Sequence, residues 1–272
     1  MEFNSISYVI PVFNEELNIN NTITKVKEAF NQNDIEDFEI IFIDDGSTDK
    51  SVEIIKTFIE KGDPIKCICL TRNFGHQEAL TAGLSKAKSD LIAILDGDLQ
   101  DPPIVINEFI KAAKNGYDVI YGVRRKRKEI FYKKMAYGVF YKLLAALSKI
   151  EIPLDSGDFC LMTKKALNML NALPEQNRFV RGLRSYIGLK QIGMKYERDA
   201  RSAGEPKYTF KKLLRLASDG IFNFSDRPLK LTSTFGVAVS IISAVMMFSL
   251  IIQRLLSINI LGYSPNDVPG YT

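Results

Sequence analysis

Five short runs of β-branched and aliphatic residues, at 6–13, 38–43, 65–70, 91–95 and 118–121, punctuate the first 121 residues at regular intervals. Runs of this length without polar alternation are the pattern of parallel strands buried on both faces. Stretches of helical length separate them, at 16–31, 49–60, 76–87 and 103–115, the second opened by Ser47-Thr48-Asp49 as a candidate cap. Strand–helix alternation predicts an α/β fold with a doubly wound, mostly parallel sheet. Ligands of such sheets bind beyond the carboxyl ends of the strands. Polar clusters follow three of the strands here: Asn14-Glu15-Glu16, Asp44-Asp45-Gly46-Ser47 and Asp96-Gly97-Asp98-Leu99-Gln100-Asp101. These ends are expected to share one crevice.

The 272 residues leave one or two domains open, and 46% hydrophobic with 25% charged residues excludes a disordered or collagenous chain. Three cysteines and one histidine exclude a disulfide framework and an ordinary four-ligand zinc site. The net charge of +4 conceals an asymmetry: 9 basic against 20 acidic side chains over residues 1–110, 11 against 2 over 111–149, and 16 against 10 over 150–272. An acidic front followed by a basic, aromatic-rich stretch points to an anionic partner, nucleic acid or a membrane face. The C-terminal region favours the membrane. Residues 231–253 carry no charge and are bracketed by Lys230 and Arg254. As a helix they span about 34 Å, enough for a hydrocarbon layer of about 30 Å. The first residues show neither a basic leader nor a cleavage site.

Beyond Gly122 the pattern changes. Residues 129–148 and 209–224 repeat aromatic and aliphatic residues at helical spacing with lysines between them, as basic amphipathic helices that lie in a headgroup layer do. The expected organisation is an α/β domain over 1–208 that includes the helix at 129–148. A juxtamembrane helix over 209–230, a transmembrane helix over 231–253 and a short tail over 254–272 follow. Lysines and arginines before the membrane helix outnumber those after it, which places the α/β domain on the cytoplasmic side.

Two carboxylates one residue apart, Asp96 and Asp98, leave a strand on a glycine and can turn toward one hard divalent cation, with Gln100 as a neutral oxygen donor. Neither a Walker-type loop nor a dinucleotide-binding glycine fingerprint occurs. A nucleotide diphosphate would therefore be held by a metal and by basic side chains, for which Arg124, Arg201 and Lys207 are candidates.

Seven ordered segments carry a resemblance: Pro11-Val12-Phe13-Asn14-Glu15-Glu16, Asp44-Asp45-Gly46-Ser47, Arg72-Asn73-Phe74-Gly75-His76-Gln77, the Asp96–Pro103 segment, Tyr121-Gly122-Val123-Arg124, Asp155-Ser156-Gly157-Asp158-Phe159 and Arg201–Tyr208. Over residues 5–252 the chain resembles the family 2 glycosyltransferases of the polyprenyl-phosphate type, and its Arg72–Gln77 segment is closer to the bactoprenol glucosyltransferases than to the mannose synthases. The resemblance implies a GT-A fold, a UDP-sugar donor, Mg2+ or Mn2+, a polyprenyl phosphate acceptor, membrane lipids as surroundings and a homo-oligomer, a tetramer among the options. By position, Pro11, Phe13, Glu15, Ile43 and Asp45 match the family's nucleoside pocket, and Asp96, Gly97, Asp98 and Gln100 its metal and sugar-diphosphate loop. Arg124, Arg201 and Lys207 match its phosphate contacts. Asp155 and Asp158 are expected to line the sugar or acceptor site.

Three departures stand out. Pro206 replaces the usual Ser, Cys160 stands where the bactoprenol enzymes often have Arg, and the sequence reaches Thr272 about where a second membrane helix is expected, as a shortened natural product or a truncated piece would. His76 is read as a helix-start residue that bonds to backbone or lines the donor site, because a phosphate dianion needs no base to attack. Cys67 and Cys69 are read as small buried hydrophobes. The combined expectation is inverting transfer of a hexose, with glucose as the expected sugar, from a UDP-sugar to undecaprenyl phosphate at the cytoplasmic membrane face; the alternative is a catalytically silent, membrane-tethered nucleotide-sugar-binding subunit. A processive synthase would need a Gln-x-x-Arg-Trp motif, and the chain has no tryptophan. No nucleic-acid module is recognised.

Overall fold

The computed structural model describes residues 2–124, 156–175, 178–197 and 227–256. The chain divides into two compact units, Met1–Phe224 and Ser225–Thr272. The expected helices at 129–148 and 209–224, together with Asp155, Arg201, Lys207 and residues 257–272 of the expected tail, lie outside the described residues.

In the first unit the elements run β1 (Ser5–Val12), α1 (Ile19–Phe30), β2 (Asp37–Asp44), α2 (Ser51–Glu60), β3 (Ile65–Cys69), α3 (His76–Leu84) and β4 (Leu91–Ile94). After a 3-10 turn at Pro103–Val105 come α4 (Ile106–Lys114), β5 (Val119–Arg124), β6 (Ser156–Thr163), α5 (Lys164–Asn171), α6 (Val180–Tyr186) and β7 (Gln191–Tyr196). The five expected strands and four expected helices are present, with shifted ends. The first helix begins at Ile19 because residues 14–17 form a loop, and the fourth is preceded by the 3-10 turn at Pro103, whose missing N–H suits a helix start.

Seven strands form one sheet in the order β3-β2-β1-β4-β6-β5-β7. All pairs are parallel except those of β6, which runs antiparallel to both β4 and β5. The sheet is mostly parallel but mixed. Register aligns the carboxyl ends of the first strands, pairing Pro11 with Ile43, Asp44 with Cys69, and Val9 with Ile94. Because β6 is inverted, its amino-terminal residues reach the same edge, with Ser156 opposite Val123.

Alternate residues of each strand enter opposite cores. Tyr8, Ile10, Ile40 and Phe42 pack with residues of α1, α2 and α4, whereas Val9, Ile41 and Ile43 pack with α3, α5 and α6. This is the period-2 geometry of a strand covered on both faces. Cys160 is fully buried on β6, but Cys69 is exposed and Cys67 half-buried, so the expectation of two buried thiols fails. Their strand, β3, is the sheet edge, where one face lacks full helical cover.

The second unit contains α7 (Arg227–Leu256). Within it Thr232–Leu255 is a 24-residue span of mean hydropathy 2.5, long and apolar enough to cross a membrane by length and composition. Phe235, Ile241, Met246 and Leu255 are exposed, consistent with a helix that is apolar all round rather than on one face.

Helix α3 lies close on the sheet through Gly83, where an added Cβ would come within 2.4 Å of Ile43 Cδ1 and 2.6 Å of Val9 Cγ1. Both neighbours are buried and cannot retreat. Gly83→Val is expected to destabilise the first unit by about 2–3 kcal/mol, seen as a lower thermal midpoint in detergent.

Candidate active site

The crevice is built from the loops that follow β1, β2, β3 and β4. The first two are stitched together. Asn14, at φ 53°, accepts the Thr48 N–H on Oδ1 at 2.8 Å while its own N–H donates to Ser47 Oγ at 2.9 Å. The Glu15 N–H donates to Ser51 Oγ at 3.0 Å, and Asp49 accepts from the N–H groups of Glu16 and Ser51. Asp49 thus serves the start of α2 as the sequence suggested, although the residue at the cap itself is Lys50.

Asp45 turns away from solvent. It is 4% exposed, and its carboxylate accepts the N–H of Phe74 at 2.7 Å and that of Gly75 at 3.0 Å. It therefore fixes the loop after β3. Gly46 completes this turn at φ 75°, and a Cβ there would lie 2.6 Å from the backbone carbon of Arg72.

The Asp96–Asp98 loop sits against β1. A Cβ on Gly97 would lie 3.0 Å from Val12 Cγ1, 3.2 Å from the Pro11 carbonyl oxygen and 3.9 Å from Glu15 Cγ. The structure thus seats the loop of Asp96, Gly97 and Asp98 against Pro11 and Glu15 through Gly97. Phe13 is half-buried beside them, whereas Pro11 and Ile43 are buried beneath the crevice. Asp98 accepts the Gln100 N–H at 3.2 Å, and Leu99 between them adopts φ 57°.

Asp158, delivered by the inverted β6, is the centre of a charged cluster. Its Oδ2 lies 3.2 Å from Gln77 Nε2, which donates to it, 3.3 Å from His76 Nε2 and 3.5 Å from Arg181 Nη2. Gln77 also accepts the Val180 N–H at 3.0 Å, so one amide ties α3, β6 and the start of α6. Burial alone would push the Asp158 carboxyl up, but Arg181, the His76 hydrogen bond and Arg184 outweigh it and hold it well below the usual carboxylate range. Asp158 is a fixed anion at neutral pH and no proton donor. His76 also lies 3.9 Å from Asp96. Burial pulls its imidazole down, but the Asp158 hydrogen bond and the charges of Asp96 and Asp158 raise it to about 9. His76 is the first residue of α3, as the helix-start reading expects, and its side-chain partners are carboxylates rather than backbone groups.

Burial, followed by the charges of Asp101, Asp158 and Asp98, pushes Asp96 up to about 6 against the opposing pull of His76. Crowded carboxylates of this kind are relieved by a cation, and their hard oxygens suit Mg2+ or Mn2+. Among the described residues no three His, Cys, Asp or Glu side chains are gathered at metal-binding spacing. Two carboxylates with the remaining places left to water and substrate phosphates is the usual manner in which Mg2+ is held, so Asp96 and Asp98 fit such an ion.

Arg124 lies at the end of β5, with Nη2 3.8 Å from Asp101 Oδ2. Gln77, Asp101, Arg181, Arg184 and Tyr196 were not singled out as site residues by sequence reasoning. Arg181 and Arg184 share an i, i+3 face of α6, a spacing that could have drawn attention to them. Tyr196 left no signal.

The sequence pattern of glycosyl transferase family 2 matches residues 7–170. The chain belongs to glycosyl transferase family 2. It is 46% identical over 250 residues to the uncharacterized glycosyltransferase YkcC of Bacillus subtilis, covering 92% of this chain and 77% of that one. It is 37% identical over 236 residues to the prophage bactoprenol glucosyl transferase homolog of Escherichia coli, covering 86% and 77%. To the bactoprenol glucosyl transferase of Shigella phage SfV it is 36% identical over 267 residues, covering 98% and 84%. This family 2 chain is a glycosyltransferase, with the mostly parallel α/β sheet of a GT-A-like fold.

The raised pKa of His76 has a defined consequence for stability. The charged pair with Asp158 contributes fully below the ordinary imidazole value of 6.5 and is lost as pH rises through about 9. The thermal midpoint is expected to fall between pH 7 and 10, and His76→Gln is expected to flatten that dependence.

Proposed function

We propose that this glycosyltransferase moves a hexose, glucose by analogy with the bactoprenol relatives, from a UDP-sugar to undecaprenyl or another polyprenyl phosphate at the cytoplasmic face of a membrane. The observation that carries the reading is the seating of the Asp96-Gly97-Asp98 loop against Pro11 and Glu15 at the carboxyl edge of the sheet. Similarity to proteins named bactoprenol glucosyl transferases, over 77–84% of their length, supports the acceptor class.

In this reading Phe13, Glu15 and Asp45 hold the nucleoside, with Pro11 and Ile43 as its floor. Asp96 and Asp98, with Gln100, would hold Mg2+ or Mn2+, which when bound neutralises the diphosphate and stabilises it on departure. Arg124, Arg201 and Lys207 contact the phosphates. A polyprenyl phosphate has its second pKa near ~6 and is already a nucleophile at neutral pH. Its oxygen forms the bond to the anomeric carbon as the bond to UDP breaks, inverting that carbon. Asp158 is placed at the sugar and acceptor side, and Asp155 is proposed for the same role. Asp158 orients His76 and Arg181 rather than moving a proton. The apolar span of α7 anchors the chain in the membrane that holds the acceptor's tail.

Membranes carrying the chain, incubated with a panel of labelled UDP- and GDP-sugars, are expected to pass label from a UDP-hexose into a mild-acid-labile lipid. Absence of label from every lipid would remove the acceptor assignment. Asp98→Asn is expected to lower turnover by a factor on the order of 10² or more without loss of fold. Activity that survives this change and excess chelator would exclude the metal. Arg201→Ala is expected to lose roughly 2–4 kcal/mol of transition-state stabilisation, with lysine restoring only part because the guanidinium fork is lost.

A further inference from the structure

We infer that Tyr196 is a positioning residue for the loop that carries Asp96 and Asp98, acting through Asp101. The inference rests on the metal-binding role proposed for that loop.

Between the end of β4 at Ile94 and the 3-10 turn at Pro103, the loop carries Leu99 at φ 57°. A branched, non-glycine residue adopts the left-handed region only where its surroundings over-determine it. Leu99 is 2% exposed, so part of that determination is packing. The other part lies two residues on. Asp101 is 1% exposed and accepts a hydrogen bond from the Tyr196 hydroxyl on Oδ1, while Arg124 approaches its Oδ2. A buried carboxylate held by a phenol and faced by a guanidinium is a fixed post, and it closes the loop that opens at Asp96.

Tyr196 is itself buried at 5% exposure. Its ring packs on Phe159 with centroids 5.1 Å apart, and Phe159 packs on Phe109 at 5.2 Å. Gly122 leaves the space for both rings, because a Cβ there would come within 2.6 Å of Tyr196 and 2.7 Å of Phe159. In register, Tyr196 stands opposite Arg124 at the end of the parallel β5–β7 pair. The last strand of the sheet thus reaches across to the metal loop through one hydroxyl. Groups behind metal ligands that set their orientation change metal affinity when removed, commonly by 10–100-fold.

The test is the affinity of the full chain in detergent for Mn2+ in the presence of UDP, read from the spin-resonance signal of free Mn2+. Tyr196→Phe, which keeps the ring and removes the hydroxyl, is expected to weaken Mn2+ binding by about fivefold or more at a nearly unchanged thermal midpoint. Asp101→Ala, which also removes the carboxylate that faces Arg124, is expected to weaken binding at least as much, and the double variant is expected to be no worse than Asp101→Ala alone, since Tyr196 acts through Asp101. Tyr117→Phe, a change elsewhere on the domain, is expected to leave binding at the parent value. Binding by Tyr196→Phe within twofold of the parent overturns the inference, as does additive loss in the double variant. If Tyr196→Phe fails to fold, Asp101→Ala is judged by the same twofold limit. A parent chain that binds no Mn2+ with UDP removes the proposed metal site and this inference together, whereas parent binding with an unaffected variant removes the inference alone.

Discussion

Four carboxylates, Asp96, Asp98, Asp101 and Asp158, converge at the carboxyl edge of a buried sheet, and their mutual repulsion is the constraint around which the site is organised. Their environment is one of partial desolvation, where like charges interact more strongly than in water. The fold supplies the counter-charges from different elements: His76 at the start of α3, Arg181 and Arg184 on α6, and Arg124 at the end of β5. The division is uneven. Asp158 is surrounded by donors and is held well below the usual carboxylate range, whereas Asp96, buried among other acids, is raised to about 6. This contrast separates a permanently charged anchor from a carboxyl suited to a cation.

The inverted strand β6 makes the arrangement possible. A parallel strand in its place would present its amino end, with Gly157 and Asp158, at the opposite edge of the sheet. Running antiparallel between β4 and β5, it sets Asp158 beside the loop of Asp96 and Asp98. Gly157 has a matching steric role, because a Cβ there would lie 3.1 Å from Arg124 Nη2. The two loops of the nucleoside side are joined by short polar side chains, Asn14, Ser47, Asp49 and Ser51, each satisfying a backbone N–H that would otherwise be left without a partner. The crevice is therefore a hydrogen-bonded frame before any ligand enters it.

The apolar helix α7 follows different physics. Its 24-residue span has a mean hydropathy of 2.5, with large apolar side chains exposed along its length, whereas α1 and α4 bury one stripe against the sheet.

The sequence by itself determined the strand–helix order as far as Arg124, the acidic loops at the carboxyl ends, the Asp96–Asp98 pair and the apolar span, because each is written in local periodicity or in residues adjacent along the chain. It did not disclose β6 or β7. Gln191–Tyr196 mixes exposed and half-buried positions on an edge strand, and Ser156–Thr163 pairs with strands far from it in sequence. The same distance hid the roles of particular residues. The hold of Asp45 on the N–H groups of Phe74 and Gly75, and the pairing of His76 at the start of α3 with Asp158, 82 positions away along the chain, have no trace in local sequence. Only the tertiary structure decided which charges meet, because ion pairing depends on distance in space, and the inverted strand that sets those distances has no local signature.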